Sequence, residues 1–200
     1  MKLFQKKDGI ATIPILGSLI VFMFLLIVIY ISYQESKRLC FKTEDAVIIS
    51  IQGSCLFDRY EYATGSANNE EVVCFYSGIE GMRYKDDNTY NMEVTKKACS
   101  YAYEIYKEIL VSNIETNYVI LTSVSEGGIA NYVKKFEMTN VYKGIAYQYD
   151  IINGKTNIIV PATNLKSTIA VTMEMDMKFP LFGEKTVKIE KIGKLENRIN

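Results

Sequence analysis

The longest apolar stretch of the chain lies near its N-terminus. It covers residues 10–33, IATIPILGSLIVFMFLLIVIYISY, and contains no charged side chain. A helix of this length measures about 36 Å, which exceeds the roughly 30 Å of a hydrocarbon core. A backbone in lipid must satisfy its own polar groups, so the pattern predicts a transmembrane helix that starts near Thr12 or bends at Pro14.

Basic residues before an apolar stretch are also typical of a secretory signal peptide. Here the stretch is longer than the h-region of such peptides, and no small-x-small cleavage site follows Tyr33. We therefore interpret 10–33 as a retained single-pass anchor and 1–9 as a cytoplasmic tail or leader. Each flank carries three basic residues, so the loop charges alone do not orient the span.

The pattern stays helical beyond the span. Apolar and small residues recur at steps of three and four, which predicts that the helix continues through 34–57 with one stripe to bury. The stripe consists of Leu39, Thr43, Ala46, Val47, Ser50 and Phe57. Residues 58–200 then form one α+β domain of ordinary size.

Within that domain, 58–91 is rich in turn-forming residues and includes a short apolar run at 71–76. A second helix is predicted from Met92 to Val111. Its buried face is expected to contain Ala98, Cys99, Ala102, Ile105, Tyr106, Ile109 and Leu110.

From Tyr118 the apolar period changes to two, which predicts strands. The candidates are Tyr118–Val124, Val133–Val141, Ile145–Ile152, Thr156–Val160, Ser167–Phe179 and Thr186–Ile192. Asn153-Gly154 predicts a two-residue hairpin turn, and the short connections favour an antiparallel meander. Packing its apolar face on the helical stripe yields an α+β fold with a long N-terminal helix and a C-terminal antiparallel sheet.

Composition narrows the functional classes. The 23 basic and 23 acidic residues balance, which disfavours nucleic acid as a partner. The chain has no His, the usual general base and the commonest metal ligand. No nucleophile elbow, phosphate-binding loop or dinucleotide fingerprint occurs in the sequence. We therefore expect a non-enzymatic protein with no catalytic residues, cofactor or metal.

Four cysteines follow the span: Cys40, Cys55, Cys74 and Cys99. Their spacing contains no CxxC, which disfavours a zinc site. An even number on one side of a membrane suits one or two disulfides outside the cell, and three full pairings are open. The alternative is that some are free, buried thiols. The oxidising environment that disulfides need, together with the free amino terminus of the tail, favours a cytoplasmic N-terminus and an extracytoplasmic C-terminal domain.

Three stretches together resemble a known family. They are DGIATIPILGSLIVFMFLLIVIYISY with its polar continuation to Asp58, the segment DRYEYATG at 58–65, and TIAVTMEMDMKFPLFGEKTVKIEKIGKLE at 168–196. This pattern resembles the TadE-like proteins, the minor pilins or pseudopilins of tight-adherence (Flp-type, type IVb) pili, in their Gram-positive form. Lys-Lys-Asp-Gly at 6–9 resembles the prepilin leader, which a prepilin peptidase cuts after the glycine.

The resemblance implies a subunit of a pilus or secretion apparatus that acts in assembly and adhesion. Its partners would be the lipid bilayer, other pilin or secretion-apparatus subunits through the transmembrane helix, and prepilin peptidase at Gly9 and Ile10. The family commonly has Glu five residues after the processing glycine, where this chain has Pro14. The alternative function is a single-pass protein with an extracellular binding domain in a secretion, conjugation or sensory complex.

Overall fold

The computed structural model of the chain describes residues 5–56, 92–114, 129–142, 145–159, 167–179 and 181–195. For 5–12, 129–130 and 141–142 it describes the backbone alone. The predicted strand at 118–124, the irregular segment 58–91 with its short apolar run, and Cys74 lie outside these ranges.

The first helix, α1, runs from Gln5 to Ser54 and contains 50 residues. The helix already includes Gln5, seven residues before Thr12, so the predicted start at Thr12 was wrong, and the alternative bend at Pro14 stays a prediction. Pro14 lies inside the helix, where its ring removes one backbone donor. At its other end, α1 stops at Ser54, with one further helical hydrogen bond from the Cys55 amide to the Ile51 carbonyl (3.1 Å).

The part of α1 beyond the apolar run has one buried stripe. Its members are Ser32, Leu39, Thr43, Ala46, Val47, Ser50, Ile51 and Ser54. The hydroxyls in the stripe donate to carbonyls of the same helix, as from Thr43 to Leu39 (3.0 Å) and from Ser50 to Ala46 (2.6 Å). This back-bonding satisfies the hydroxyls without an outside partner, which allows Ser and Thr to lie in an otherwise apolar stripe.

The second helix, α2, runs from Met92 to Asn113. Its buried residues are Val94, Thr95, Ala98, Cys99, Ala102, Tyr106 and Leu110. The predicted face is confirmed at Ala98, Cys99, Ala102, Tyr106 and Leu110, whereas Ile105 and Ile109 are half-buried. A short 3-10 turn at Ile129–Tyr132 leads into the sheet.

Five antiparallel strands form the sheet: β1 (Val133–Tyr142), β2 (Ile145–Asp150), β3 (Lys155–Ile159), β4 (Thr168–Phe179) and β5 (Gly183–Lys194). Their spatial order is β3-β2-β1-β4-β5. β4 returns past the first hairpins to pair with β1, which is the order of a Greek key. The predicted meander was therefore wrong, although the α+β class is confirmed.

The β2–β3 connection also differs from the predicted two-residue turn. Asp150 pairs with Lys155, so the loop contains the four residues 151–154. The Asp150 carboxylate accepts hydrogen bonds from the amides of Ile152 (3.0 Å) and Asn153 (3.2 Å). Gly154 adopts a positive φ of 63° at the end of the loop, a conformation that glycine adopts without steric cost.

The inner face of β4 carries the centre of the core. Alternate residues along this strand are buried: Ile169, Val171, Met173, Met175, Met177 and Phe179. β1 adds Phe136 and Met138, β5 adds Ile189, and the stripes of α1 and α2 join the same cluster. The predicted packing of the helical stripe against the apolar face of the sheet is confirmed.

Two glycines allow α1 to approach its neighbours closely. A Cβ added to Gly193 of β5 would lie 2.2 Å from Cγ2 of Ile51 on α1. A Cβ added to Gly53 would lie 2.1 Å from Cδ1 of Ile109 on α2. The first neighbour is the branch methyl of a buried side chain, whereas the second is the end of a flexible, half-buried one. Gly193 is therefore the tighter of the two positions.

We expect Gly193→Ala to destabilise the fold by about 1–3 kcal/mol, because the added methyl overpacks the contact with Ile51. Thermal unfolding of the full chain in detergent measures the effect. The matched control is Gly53→Ala, which we expect to cost less because Ile109 can rotate its terminal methyl away. Ile51→Leu removes Cγ2 and should restore part of the lost stability in the Gly193→Ala background. Equal melting temperatures for wild type and Gly193→Ala would contradict the assigned contact.

Candidate functional site: a bare apolar helix joined to a covered one

The apolar half of α1 is almost uncovered by the rest of the protein. All but one of the side chains from Ile13 to Tyr33 are exposed, the exception being Ser32. The most apolar 18-residue window has a mean hydropathy of 2.8, and only 6% of it is buried. A helix that is apolar on all sides requires an apolar surrounding, which water does not supply. This segment is long and apolar enough to cross a membrane, and the chain is compatible with a single-pass membrane protein.

The end of the apolar run has the composition of a membrane–water boundary. Tyr30 and Tyr33 are 63% and 53% exposed, and aromatic residues of this kind favour the headgroup level. Arg38 lies 3.7 Å from Glu35, and the Lys37 ammonium lies 5.6 Å from the ring centroid of Phe41. The change from purely apolar to charged side chains therefore takes place within one or two helical turns.

Gly9 and Ile10, the predicted processing site, lie within the first turns of α1. Cleavage at this position stays a prediction.

The covered half of α1 is joined to the sheet by two kinds of contact. Apolar contact comes from Ile51 against the backbone of Gly193. Polar contact comes from the Lys191 ammonium, which donates to the Glu44 carboxylate. Both side chains are half-buried, so water screens this ion pair less than one on an open surface. The sequence pattern did not reveal this pair, because a Lys and a Glu 147 positions apart carry no periodic signal.

Three of the four candidate disulfide cysteines lie in the described part of the chain. Cys40, Cys55 and Cys99 are free thiols there. Cys40 and Cys55 are 15 residues apart along one helix, about 22 Å, whereas a disulfide requires Cα atoms within about 7 Å. α1 therefore excludes a bond between these two. None of these three cysteines is bonded to another in the described part of the chain, and a bond to Cys74 stays a prediction.

Burial governs the chemistry of these thiols. It raises the pKa of Cys99 to about 12 and that of Cys55 to about 11. The pKa of Cys40 is also raised, first by burial and then by the nearby Glu44 carboxylate. The Cys99 thiol donates to the Tyr149 carbonyl (3.8 Å). Thiols held in the protonated form are poor nucleophiles, so Cys55 and Cys99 have the environment of packed core residues.

Tyrosines of α2 pack on the sheet. The rings of Tyr103 and Tyr106 lie 5.1 and 5.4 Å from Phe136, both tilted. Such pairs of aromatic rings stabilise a core beyond the area they bury. In the described part of the chain, the Tyr106 hydroxyl has no hydrogen-bond partner, and burial raises its pKa. These two tyrosines thus pack against the sheet, whereas Tyr101 is exposed on the same helix.

Among the residues that the structure describes, no group of three or more Cys, Asp or Glu side chains is placed to hold a metal ion. No protein-family model matches the chain, and neither a curated protein nor a solved structure matches it. The features of the molecule that bear on its function are therefore α1 and the domain joined to it.

We expect the free energy of unfolding to fall as the pH rises above 9. Burial keeps Cys55 and Cys99 protonated in the folded state, whereas the unfolded chain ionises near the ordinary pKa of 9.0. Their contribution is complete below pH 9 and is lost as the pH rises through about 11 and 12. Denaturant unfolding of the full chain at several pH values measures this loss.

Cys99→Ala is the comparison variant. It removes the thiol whose pKa is raised further, while the other ionisable groups of the chain still titrate. Its stability should depend less on pH in this range than that of the wild type. Of the three described cysteines, alkylation of the native protein at pH 8 should modify Cys40 first and Cys99 last. Rapid alkylation of Cys99 in the folded protein would contradict its buried position.

Proposed function

We propose that this protein is a membrane-anchored, non-enzymatic subunit of the pseudopilin or minor-pilin kind, acting in the assembly and adhesion of a pilus or secretion apparatus. The supporting observation is the division of α1 into a bare apolar half and a half covered by an α+β domain. One continuous helix thus links the proposed membrane anchor directly to the folded domain.

The proposed mechanism is assembly through α1. Burial of residues 13–33 in lipid removes a large apolar surface from water and holds the subunit in the membrane. The exposed sides of that helix can then contact the helices of other subunits by van der Waals packing. Since the covered half belongs to the same helix, the orientation of α1 in the assembly also sets the orientation of the sheet.

The N-terminal tail supports the same proposal through its resemblance to a prepilin leader. Lys6, Lys7, Asp8 and Gly9 directly precede the apolar run. The N-terminus would be cytoplasmic and the α+β domain extracytoplasmic. Pro14 lies where the family commonly has the Glu that neutralises a new amino terminus, so a processed subunit would need another group for that task.

Mass spectrometry of the protein purified from its own membrane tests the processing. We expect a mature chain that starts at Ile10, because the leader-like residues end at Gly9. Gly9→Val, which places a larger, branched side chain before the bond, should leave the chain uncut. The control is Gly17→Ala, at a helix position with open space around it. A wild-type chain that retains residues 1–9 would contradict processing.

Lateral helix contact is tested by photo-crosslinking in intact cells. A photoreactive phenylalanine analogue at Phe22, in the apolar half, should crosslink to copies of this chain or to another membrane-helix subunit. The matched position is Tyr101, an exposed aromatic residue on α2. Crosslinks from Phe22 support assembly through α1. Protein crosslinks from Tyr101 with none from Phe22 would instead favour the alternative, a single-pass protein with an extracellular binding domain.

Electron microscopy of cells that lack the gene separates the same two functions. Loss of surface filaments, restored by the wild-type gene, supports the pilus role. Intact filaments with a lost response to an external ligand support the binding domain. One observation is compatible with the second function. The outer face of β4 and β5 exposes polar side chains, such as Asp176, Lys188 and Glu190, that a ligand could contact.

A further inference from the structure

The tip of the β4–β5 hairpin is apolar and exposed. The sequence there is FPLFG, and Leu181 and Phe182 are 67% and 39% exposed. Leu181 has a φ of 63°, a conformation that a leucine rarely adopts and that Gly or Asn fills at lower cost. A tight turn exposed to water usually consists of polar residues and glycine. An apolar surface placed against these two side chains would remove their exposed area from water.

The contacts of α1 show towards which end of the molecule this tip points. Among the described strands, α1 contacts β4 and β5 and not the other three. It therefore follows these two strands rather than crossing the sheet. Glu44 contacts Lys191, and further along, Ile51 contacts Gly193. Because both contacts advance in the same direction, α1 and β5 run in parallel, and the start of β5 points back towards the apolar half of α1.

The lengths of the two elements place the tip near the end of the apolar run. From Lys191 back to Phe182, nine strand residues cover about 30 Å. From Glu44 back to Tyr33, eleven helix residues cover about 16 Å. At an inclination of about 55° to α1, the 30 Å of strand still extend about 17 Å along the helix axis. The tip of the hairpin therefore lies at least as far along that axis as Tyr33. The buried stripe of α1 also continues down to Ser32, next to that level.

The charges beside the tip suit a bilayer surface. Lys178, Glu184 and Lys185 are exposed beside it, with Glu184 opposite Lys178 across the hairpin, so the flanking residues carry one net positive charge. Long lysine side chains can extend to the headgroup level while apolar neighbours enter the boundary of the acyl chains. We propose that Leu181 and Phe182 dock into the interfacial region of the same bilayer that α1 crosses. This second membrane contact rests on the membrane anchoring in the proposed function.

The contact would restrain the α+β domain relative to the bilayer. A single helix permits the domain to rotate about the helix axis and to tilt. A second point of attachment, displaced sideways from α1, limits both motions. The outer face of the sheet would then keep a constant orientation to the membrane.

The chain contains no tryptophan, so a single introduced one is a unique fluorescent reporter. We choose Phe182→Trp at the tip, Phe24→Trp in the middle of the apolar half, and Ile158→Trp on β3. Ile158 is 64% exposed and lies at the opposite end of the sheet, since it pairs through Tyr147 with Asn140. Each full-length variant is reconstituted into phosphatidylcholine vesicles with lipids brominated at a shallow or a deep acyl position.

We expect shallow bromine to quench Phe182→Trp strongly and deep bromine to quench it less, with a blue-shifted emission relative to Ile158→Trp. Phe24→Trp should show the reverse depth preference, and Ile158→Trp should show no lipid quenching. If Phe24→Trp is quenched while Phe182→Trp behaves like Ile158→Trp, the docking proposal is wrong and the anchoring stands. If Phe24→Trp is not quenched either, the membrane anchoring fails, and the docking proposal with it.

Leu181→Trp serves as a second tip variant and guards against a local effect of the indole at 182. Circular dichroism of each variant checks that the fold is retained. Protection of both tip positions from an aqueous quencher, with Ile158→Trp still accessible, supports docking in lipid. Full accessibility of both tip positions in vesicles overturns it.

Discussion

The structure depends on one helix whose two halves differ in what surrounds them. From Ile13 to Tyr33, α1 is apolar on every side and uncovered, and beyond that it has one buried stripe and one polar side. No break separates the two parts of the helix, so the orientation of one part sets that of the other. The folded domain covers the stripe, and the stripe gives the sheet an apolar surface on which to pack.

Close packing along that stripe has a consequence for sequence variation. The methionines of β4 can adapt to small changes in neighbouring side chains, because their unbranched chains have several rotamers. The contact between Gly193 and Ile51 cannot adapt in this way, since a backbone faces a branched methyl. Around the covered half of α1, substitutions near the β4 methionines should therefore be tolerated better than substitutions at the contact between Gly193 and Ile51.

Periodicity predicted the elements of this fold better than their arrangement. The alternation in β4 and the three- and four-residue steps of α2 identified most of the buried residues, because burial on one face produces a local signal. The Greek-key order produces no local pattern in the sequence, since the pairing of β1 with β4 depends on tertiary packing. The same holds for Ile51, whose partner Gly193 is far along the chain.

The candidate sites divide in a similar way. The span follows from composition alone, because no other part of the chain is uncharged over such a length. The processing site at Gly9 and Ile10 was predicted from a resemblance alone. Pairing of the cysteines depends on distances between their Cα atoms, which the sequence does not give. Helical geometry removed one pairing, between Cys40 and Cys55, because both lie on α1.

The parallel course of α1 and β5 limits how copies of this chain could associate. β5 is an edge strand of the described sheet, and two such edges can join as an antiparallel pair about a twofold axis perpendicular to the sheet. That axis would reverse the direction of α1 in the second copy and point its apolar half away from the first copy's bilayer. Copies whose α1 helices point the same way, as two subunits anchored in one membrane would, therefore cannot join their β5 edges in this antiparallel arrangement.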